Sequence, residues 1–192
     1  DAPEVTVGVR VEHLDTPHGR CVLVDLDDDE LPTAIAALPS PEQALAHAKL
    51  SPSTRRDFVA GRTALHLALD DFGVAIARNH RNAPAMPAGF TGSVSHKQGT
   101  AIAIVAPAGA GWVGVDLEHA LPSKQDIAQR ILTAAERTAL PVDPRAVTLR
   151  FAIKEAIYKA VDPIVERYVG FTEVELEVGE LYAAVTSVLP AE

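Results

Sequence analysis

The chain has 192 residues, room for one large domain or two small ones, and its 47% hydrophobic and 22% charged content is that of a globular protein with a core to bury. A net charge of −9 argues against nonspecific nucleic-acid binding, so an anionic ligand needs a local basic pocket. No apolar run approaches the ~20 residues of a membrane span, and Cys21, the single cysteine, excludes disulfides and thiolate zinc sites within the chain.

The opening "DAPEVTVGVR" lacks a basic segment followed by an apolar one, so no signal peptide is visible and a reducing cytoplasm is the expected compartment. "EVTVGVRVE" and "GRCVLVDL" read as two strands joined by a short turn, and the acid run Asp25–Glu30 as a solvated turn without calcium-loop spacing. Ser40-Pro41 opens a helix over "PEQALAHAKL". In "SPSTRRDFVAGRTALHLALDDFG", Phe58, Leu65, Leu69 and Phe72 recur at helical spacing, with Ser53 as the expected cap and Gly73 as the expected stop. A loop rich in Asn, Pro and basic residues follows, then strand-like "TGSVSH", "TAIAIVAP" and "GWVGVDLE". Ser123 is expected to cap a helix to about Leu132. Asp143-Pro144 opens "PRAVTLRFAIKEAIYKAV", and "FTEVELEV" and "LYAAVTSVL" read as closing strands. Strands and helices without a β-α-β-α rhythm predict an α+β fold. "APAGAG" (106–111) is the expected linker, dividing the chain into 1–107 and 112–192.

"GAGWVG" (109–114) fits a dinucleotide fingerprint only in letters, because a strand rather than a helix is expected after it. "GSVSH" is not a G-x-S-x-G nucleophile segment. The seven histidines show no metal-binding spacing; His13, His18, His47, His66, His80 and His119 read as surface or satisfied core residues.

Chemistry begins at Asp116 and Glu118. At i and i+2 of a strand they share a face, their Cα atoms about 6.5–7 Å apart. A hard cation such as Mg2+, shared with substrate phosphate, relieves their repulsion; an exposed edge strand with solvated acids explains them equally well. In "FAIKEAIYKA" (151–160), Ile153, Ala156, Ile157 and Ala160 form the expected buried arc, and Lys154, Glu155, Tyr158 and Lys159 the opposite one. A surface Glu155–Lys159 pair, worth about 0.2–0.5 kcal/mol, is the plain alternative.

"GSVSHK", "GVDLE" and "FAIKEAIYKA", in that order, resemble the 4′-phosphopantetheinyl transferases of the monomeric Sfp/EntD type. "RRDFVAGR" (55–62), "RNAPAMPAGFTGSVSH" (81–96) and "VERYVGF" (165–171) extend the resemblance over residues 53–171. Two features differ. Phe151-Ala152 stand where the family has Trp-Ser, and fewer residues separate "VELEV" from "LYAAVTSVL".

The resemblance implies two similar α+β halves about a pseudo-twofold axis, with coenzyme A in the cleft between them. It implies transfer of 4′-phosphopantetheine from coenzyme A to a serine of an acyl or peptidyl carrier protein, releasing adenosine 3′,5′-bisphosphate. By the same resemblance Asp116, Glu118 and Glu155 bind Mg2+, for which Mn2+ can substitute. Glu155 also serves as or positions the base, directly or through water. Lys154 and Lys159 neutralise phosphate oxygens, with Lys159 assisting the leaving group. Arg62, Arg81 and His96 bind coenzyme A phosphates, joined by Arg55 and Ser95. A carrier contact through Met86, Phe90 and Tyr158 is expected to be apolar, since acidic carriers are not steered toward an acidic enzyme. No nucleic-acid or membrane partner is expected. A Mg2+-dependent nucleotide or pyrophosphate hydrolase and a degenerate coenzyme A-binding module are the alternatives.

Overall fold

The computed structural model describes residues 9–48, 51–122, 127–178 and 183–187, the last of these for backbone only. Residues 4–8 of the first expected strand and the expected cap Ser123 lie outside them. The chain divides into two compact units, Asp1–Leu117 and Glu118–Glu192.

In the first unit, β1 (Arg10–Leu14), β2 (Arg20–Asp25), β6 (Thr100–Pro107) and β5 (Phe90–Lys97) form an antiparallel sheet in that spatial order. The β5–β6 turn uses Gln98 and Gly99, both at positive φ, as a two-residue hairpin loop requires. Three helices precede β5: α1 (Leu31–Ala37), α2 (Ser40–His47) and α3 (Pro52–Leu69). Helix α3 packs on β2, β5 and β6, burying Phe58, Val59, Leu65 and Leu69 with Val22, Val24, Ala103 and Val105 of the sheet. It begins earlier than expected: Ser51, not Ser53, caps it by accepting from Thr54 N at 3.3 Å, which places Pro52 at the first helical position. It also ends earlier. Asp70 takes the left-handed cap conformation, and Gly73 stands beyond the helix with its N–H donated to Asp71. The basic loop contains a small antiparallel pair, β3 (Ala77–Arg78) and β4 (Pro84–Ala85).

Residues 111–118, expected as a strand, join no ladder among the described residues. Their burial does not alternate either: Trp112 is exposed, and residues 113–118 are all half-buried.

The second unit contains α4 (Ala128–Ile131), α5 (Ala134–Thr138), α6 (Ala146–Val165) and the antiparallel pair β7 (Val174–Val178) and β8 (Ala183–Ser187). Asp143 does not cap α6. Arg145 occupies that position, and Asp143 holds it through the Arg145 backbone N–H and guanidinium. Of the expected apolar arc of α6, Ile153 and Ile157 pack with Val169, Val174 and Leu176, joined by Val161 and by Tyr158 from the arc expected to be opposite, while Ala156 and Ala160 are only half-buried. The most deeply buried stripe is different, being Ala146, Arg150, Lys154 and Asp162. Lys154 therefore leaves the exposed arc expected for it, a correction explained by its partners below.

The architecture is thus mixed α+β with an antiparallel sheet. No helix among the described residues is long and apolar enough to cross a membrane.

Candidate functional site

In the first unit the candidate residues come from α3, from β5 and from the segment after β6. His96 lies against α3 where Gly61 permits close approach: a Cβ there would stand 3.3 Å from the His96 ring. Asp57, one turn earlier on α3, holds His96 Nδ1 at 3.9 Å and accepts the Gly99 N–H at 2.7 Å. The carboxylate thereby joins helix, ring and hairpin turn.

Arg62 is buried, and its Nη1 meets no acceptor among the described residues. Burial holds its guanidinium below the ordinary arginine range, with Glu42 pulling it up and Arg78 pushing it down. Arg62 and Arg78 both lie over the Phe58 ring, at 5.3 and 5.8 Å from its centroid. Two like charges near one ring, one of them short of an acceptor, suit an anion. Half-buried Arg55 also has a buried Nε without an acceptor among the described residues. Arg81 sits in the β3–β4 turn, its backbone N–H bound by Asn79 Oδ1 at 2.9 Å.

Two β5 serines hold the segment carrying Asp116. Ser95 Oγ donates to Asp116 Oδ1 at 2.8 Å, and Ser93 Oγ accepts the Val115 N–H at 3.2 Å. Side chains here replace the expected backbone ladder, because residues 111–118 run beside serine positions without entering the sheet. "GSVSHK" and "GVDLE" thus meet physically at Ser95 and Asp116.

In the second unit, Glu118, Glu155 and Lys159 are half-buried. Glu155 lines a cavity of about 140 Å³ with a mainly apolar wall, including Ile157, Tyr158, Val161, Tyr168 and Phe171. Phe151, in the place of the expected tryptophan, packs on Phe171 with ring centroids 5.6 Å apart.

Lys154 is corrected most. It is 2% exposed, and its Nζ donates to Ile131 O at 2.8 Å, Glu136 Oε2 at 2.7 Å and Phe171 O at 2.9 Å. An ammonium has three N–H donors, and all three are used inside the unit. Lys159, about one turn and a half further along the helix, is half-buried.

The expected carrier contacts also separate by burial. Phe90 is 43% exposed, Met86 packs into the first unit's core, and Tyr158 lines the cavity, where its ring meets Tyr168.

Asp116 belongs to the first unit, and Glu118 and Glu155 to the second. Within each unit, the described residues contain no cluster of three His, Cys, Asp or Glu side chains able to hold a metal. Carboxylate oxygens are the donors a hard cation prefers, and Ser95 orients that of Asp116.

Sequence reasoning missed Arg78, Asp57, Glu42 and Glu136. Arg78 and Asp57 carry no local signal. Glu136 carries one, since Thr133-Ala-Ala-Glu136 is a capping box, formed in both directions at the start of α5. Glu42 is buried and binds His66 Nε2 at 2.8 Å and the Ile76 N–H at 2.7 Å. His66 is accordingly a satisfied core histidine, its Nδ1 2.7 Å from Asp71 O.

Comparison with known proteins matches residues 40–106 to the 4′-phosphopantetheinyl transferase N-terminal domain and residues 112–183 to the 4′-phosphopantetheinyl transferase superfamily. The 4′-phosphopantetheinyl transferase Npt of Nocardia iowensis is 33% identical over 154 residues, covering 77% of this chain and 68% of that protein. The 4′-phosphopantetheinyl transferase PptT of Mycobacterium tuberculosis is 32% identical over 146 residues, covering 72% and 64%. Enterobactin synthase component D of Salmonella typhi is 33% identical over 114 residues, covering 55% and 47%. The matched region thus spans about two thirds of the length of the first two relatives and about half of the third.

Proposed function

The chain belongs to the 4′-phosphopantetheinyl transferase superfamily, and from that premise we propose that it moves the 4′-phosphopantetheine arm of coenzyme A onto a serine of an acyl or peptidyl carrier protein. The carrier serine Oγ bonds to the β-phosphorus, the bond from that phosphorus to the bridging oxygen breaks, and adenosine 3′,5′-bisphosphate departs. The serine proton passes to Glu155, directly or through water. The barrier is electrostatic, because an anionic centre is attacked and an anionic group leaves.

Arg62, Arg78, Arg81 and His96 bind the phosphates, with Arg55 and Ser95 in support. Lys159 meets the leaving side. Asp116, Glu118 and Glu155 hold the divalent cation, Mg2+ or Mn2+, which supplies positive charge to the pyrophosphate when bound. The cavity beside Glu155 receives the apolar, amide-bearing pantetheine chain, for which its mixed aliphatic and tyrosine wall is suited. The enzyme acts as a cytoplasmic monomer built of two α+β halves.

One observation carries the reading: the Ser95–Asp116 hydrogen bond joins two separate sequence motifs of the family. Mass spectrometry of a carrier panel incubated with coenzyme A and Mg2+ tests it. One phosphopantetheine gained on the carrier serine is the expected result. Carrier-independent release of adenosine 3′,5′-bisphosphate would identify a hydrolase instead, and coenzyme A binding without turnover a degenerate module.

A further inference from the structure

The buried charge of Lys154 needs an explanation that stability alone does not supply. Taking an ammonium and a carboxylate out of water costs several kcal/mol per ion, and apolar replacement of such a pair is often neutral or stabilising. What the pair does supply is direction. Lys154 Nζ reaches Ile131 O, Glu136 Oε2 and Phe171 O, while Glu136 accepts Thr133 N at 2.7 Å through Oε2 and Leu176 N at 2.9 Å through Oε1. A single ion pair thereby joins α4, α5, α6, the turn at residues 171–173 and β7.

Two of these pieces are opposite walls of one cavity. Lys154, Glu155, Ile157, Tyr158 and Val161 come from α6, and the facing wall is formed by residues 168–171 and Val174. The Lys154–Phe171 hydrogen bond of 2.9 Å ties wall to wall. The ammonium's place is set in turn by Glu136, the only charged group among its three acceptors and therefore the strongest. Apolar contacts between the walls would leave their separation free to slide, whereas three hydrogen bonds from one nitrogen leave little latitude.

We propose that Glu136 is a positioning residue. Acting through Lys154, it sets the separation of the two cavity walls and the placement of neighbouring Glu155, and so the fit of the pantetheine arm. The inference deepens the transferase reading and rests on it.

The test compares two ligands by titration calorimetry with Mg2+ present. Coenzyme A carries the arm, and adenosine 3′,5′-bisphosphate lacks it. The double variant Glu136→Leu/Lys154→Met removes both charges together and so leaves no buried ion unpaired; it does take partners from Thr133 N, Leu176 N, Ile131 O and Phe171 O, so the fold is expected to persist with a lowered melting temperature. Its Kd for coenzyme A should rise about tenfold, with the nucleotide Kd unchanged and kcat for carrier modification lowered. A folded double variant that binds both ligands and turns over as the wild type does would overturn the proposal, as would equal weakening of both ligands. If the double variant does not fold, Glu136→Gln decides by the same two titrations, since Lys154 keeps its two carbonyl acceptors there. Failure of the transferase reading looks different: the wild type itself would modify no carrier.

Discussion

Ser95 Oγ and Asp116 Oδ1 stand 2.8 Å apart, a hydroxyl donating to a carboxylate from a strand to a segment outside the sheet. The bond orients the carboxylate. Asp116→Ala should abolish Mg2+-dependent transfer while circular dichroism shows a retained fold. Ser95→Ala keeps the carboxylate but removes this hydrogen bond. A hydrogen bond to a charged group is worth about 1.5–3 kcal/mol, so turnover at limiting Mg2+ should fall about tenfold or more, with partial recovery at high Mg2+.

The two lysines of α6 should separate cleanly. Lys159→Ala should lower kcat, with a smaller loss of melting temperature than Lys154→Ala. Lys154→Ala strands the Glu136 carboxylate in the interior, and breaking one side of a buried pair costs about 3–5 kcal/mol. At about 2–4 °C per kcal/mol for a protein of this size, its melting temperature should fall by roughly 10 °C. Thermal melts alongside steady-state kinetics distinguish the two.

Arg62 is buried with Nη1 lacking an acceptor among the described residues, a cost to the free protein. Arg62→Met removes that cost. Its melting temperature should equal or exceed the wild type by about 2–4 °C, while KM for coenzyme A rises. Arg78→Ala should raise the same KM with no gain in stability. If dephospho-coenzyme A binds wild type as tightly as coenzyme A, neither arginine meets the 3′-phosphate.

Gly61 faces His96 so closely that a Cβ would stand 3.3 Å from the ring and 3.4 Å from Val94 Cγ2. Gly61→Val adds two more carbons in that space. It should displace His96 and raise KM for coenzyme A, with a smaller effect on kcat. Kinetics with coenzyme A varied at saturating carrier measures this directly.

Asp143 is held to about 2, below its ordinary value of 3.8, first by its side-chain hydrogen bond to Arg145 and then by the Arg145 backbone N–H. A carboxylate depressed on folding contributes stability above its unfolded value, and that contribution is lost as pH falls through the folded value. Any effect therefore lies between roughly pH 4 and 2, outside the working range of the enzyme. Carboxyl NMR titration should show the depressed value and its return toward normal in Arg145→Ala.

Much of the architecture was legible in the residues. The long helix through Phe58, Leu65 and Leu69 follows from apolar spacing, and β5 and β6 fall on the two strand-like segments "TGSVSH" and "TAIAIVAP". The ends of α3 were not, because several serines and a glycine offered equivalent signals and the Ser51–Thr54 contact chose among them. The 111–118 segment misled for a related reason. Alternation of Val113, Val115 and Leu117 is compatible with a strand, but a ladder needs a partner edge, and Ser93 and Ser95 supply side chains instead.

Motif order in the sequence pointed to the family that comparison with known proteins shows, and with it to the chemistry expected of such a protein: carboxylates for a cation, arginines and a histidine for phosphate, and a lysine helix. Only the tertiary structure placed Lys154 in the interior. Helical periodicity tells which residues share a face, but not what that face meets. Lys154 is buried because a carboxylate eighteen positions earlier and two backbone carbonyls from other elements converge on its nitrogen, and no local pattern in the chain records that convergence.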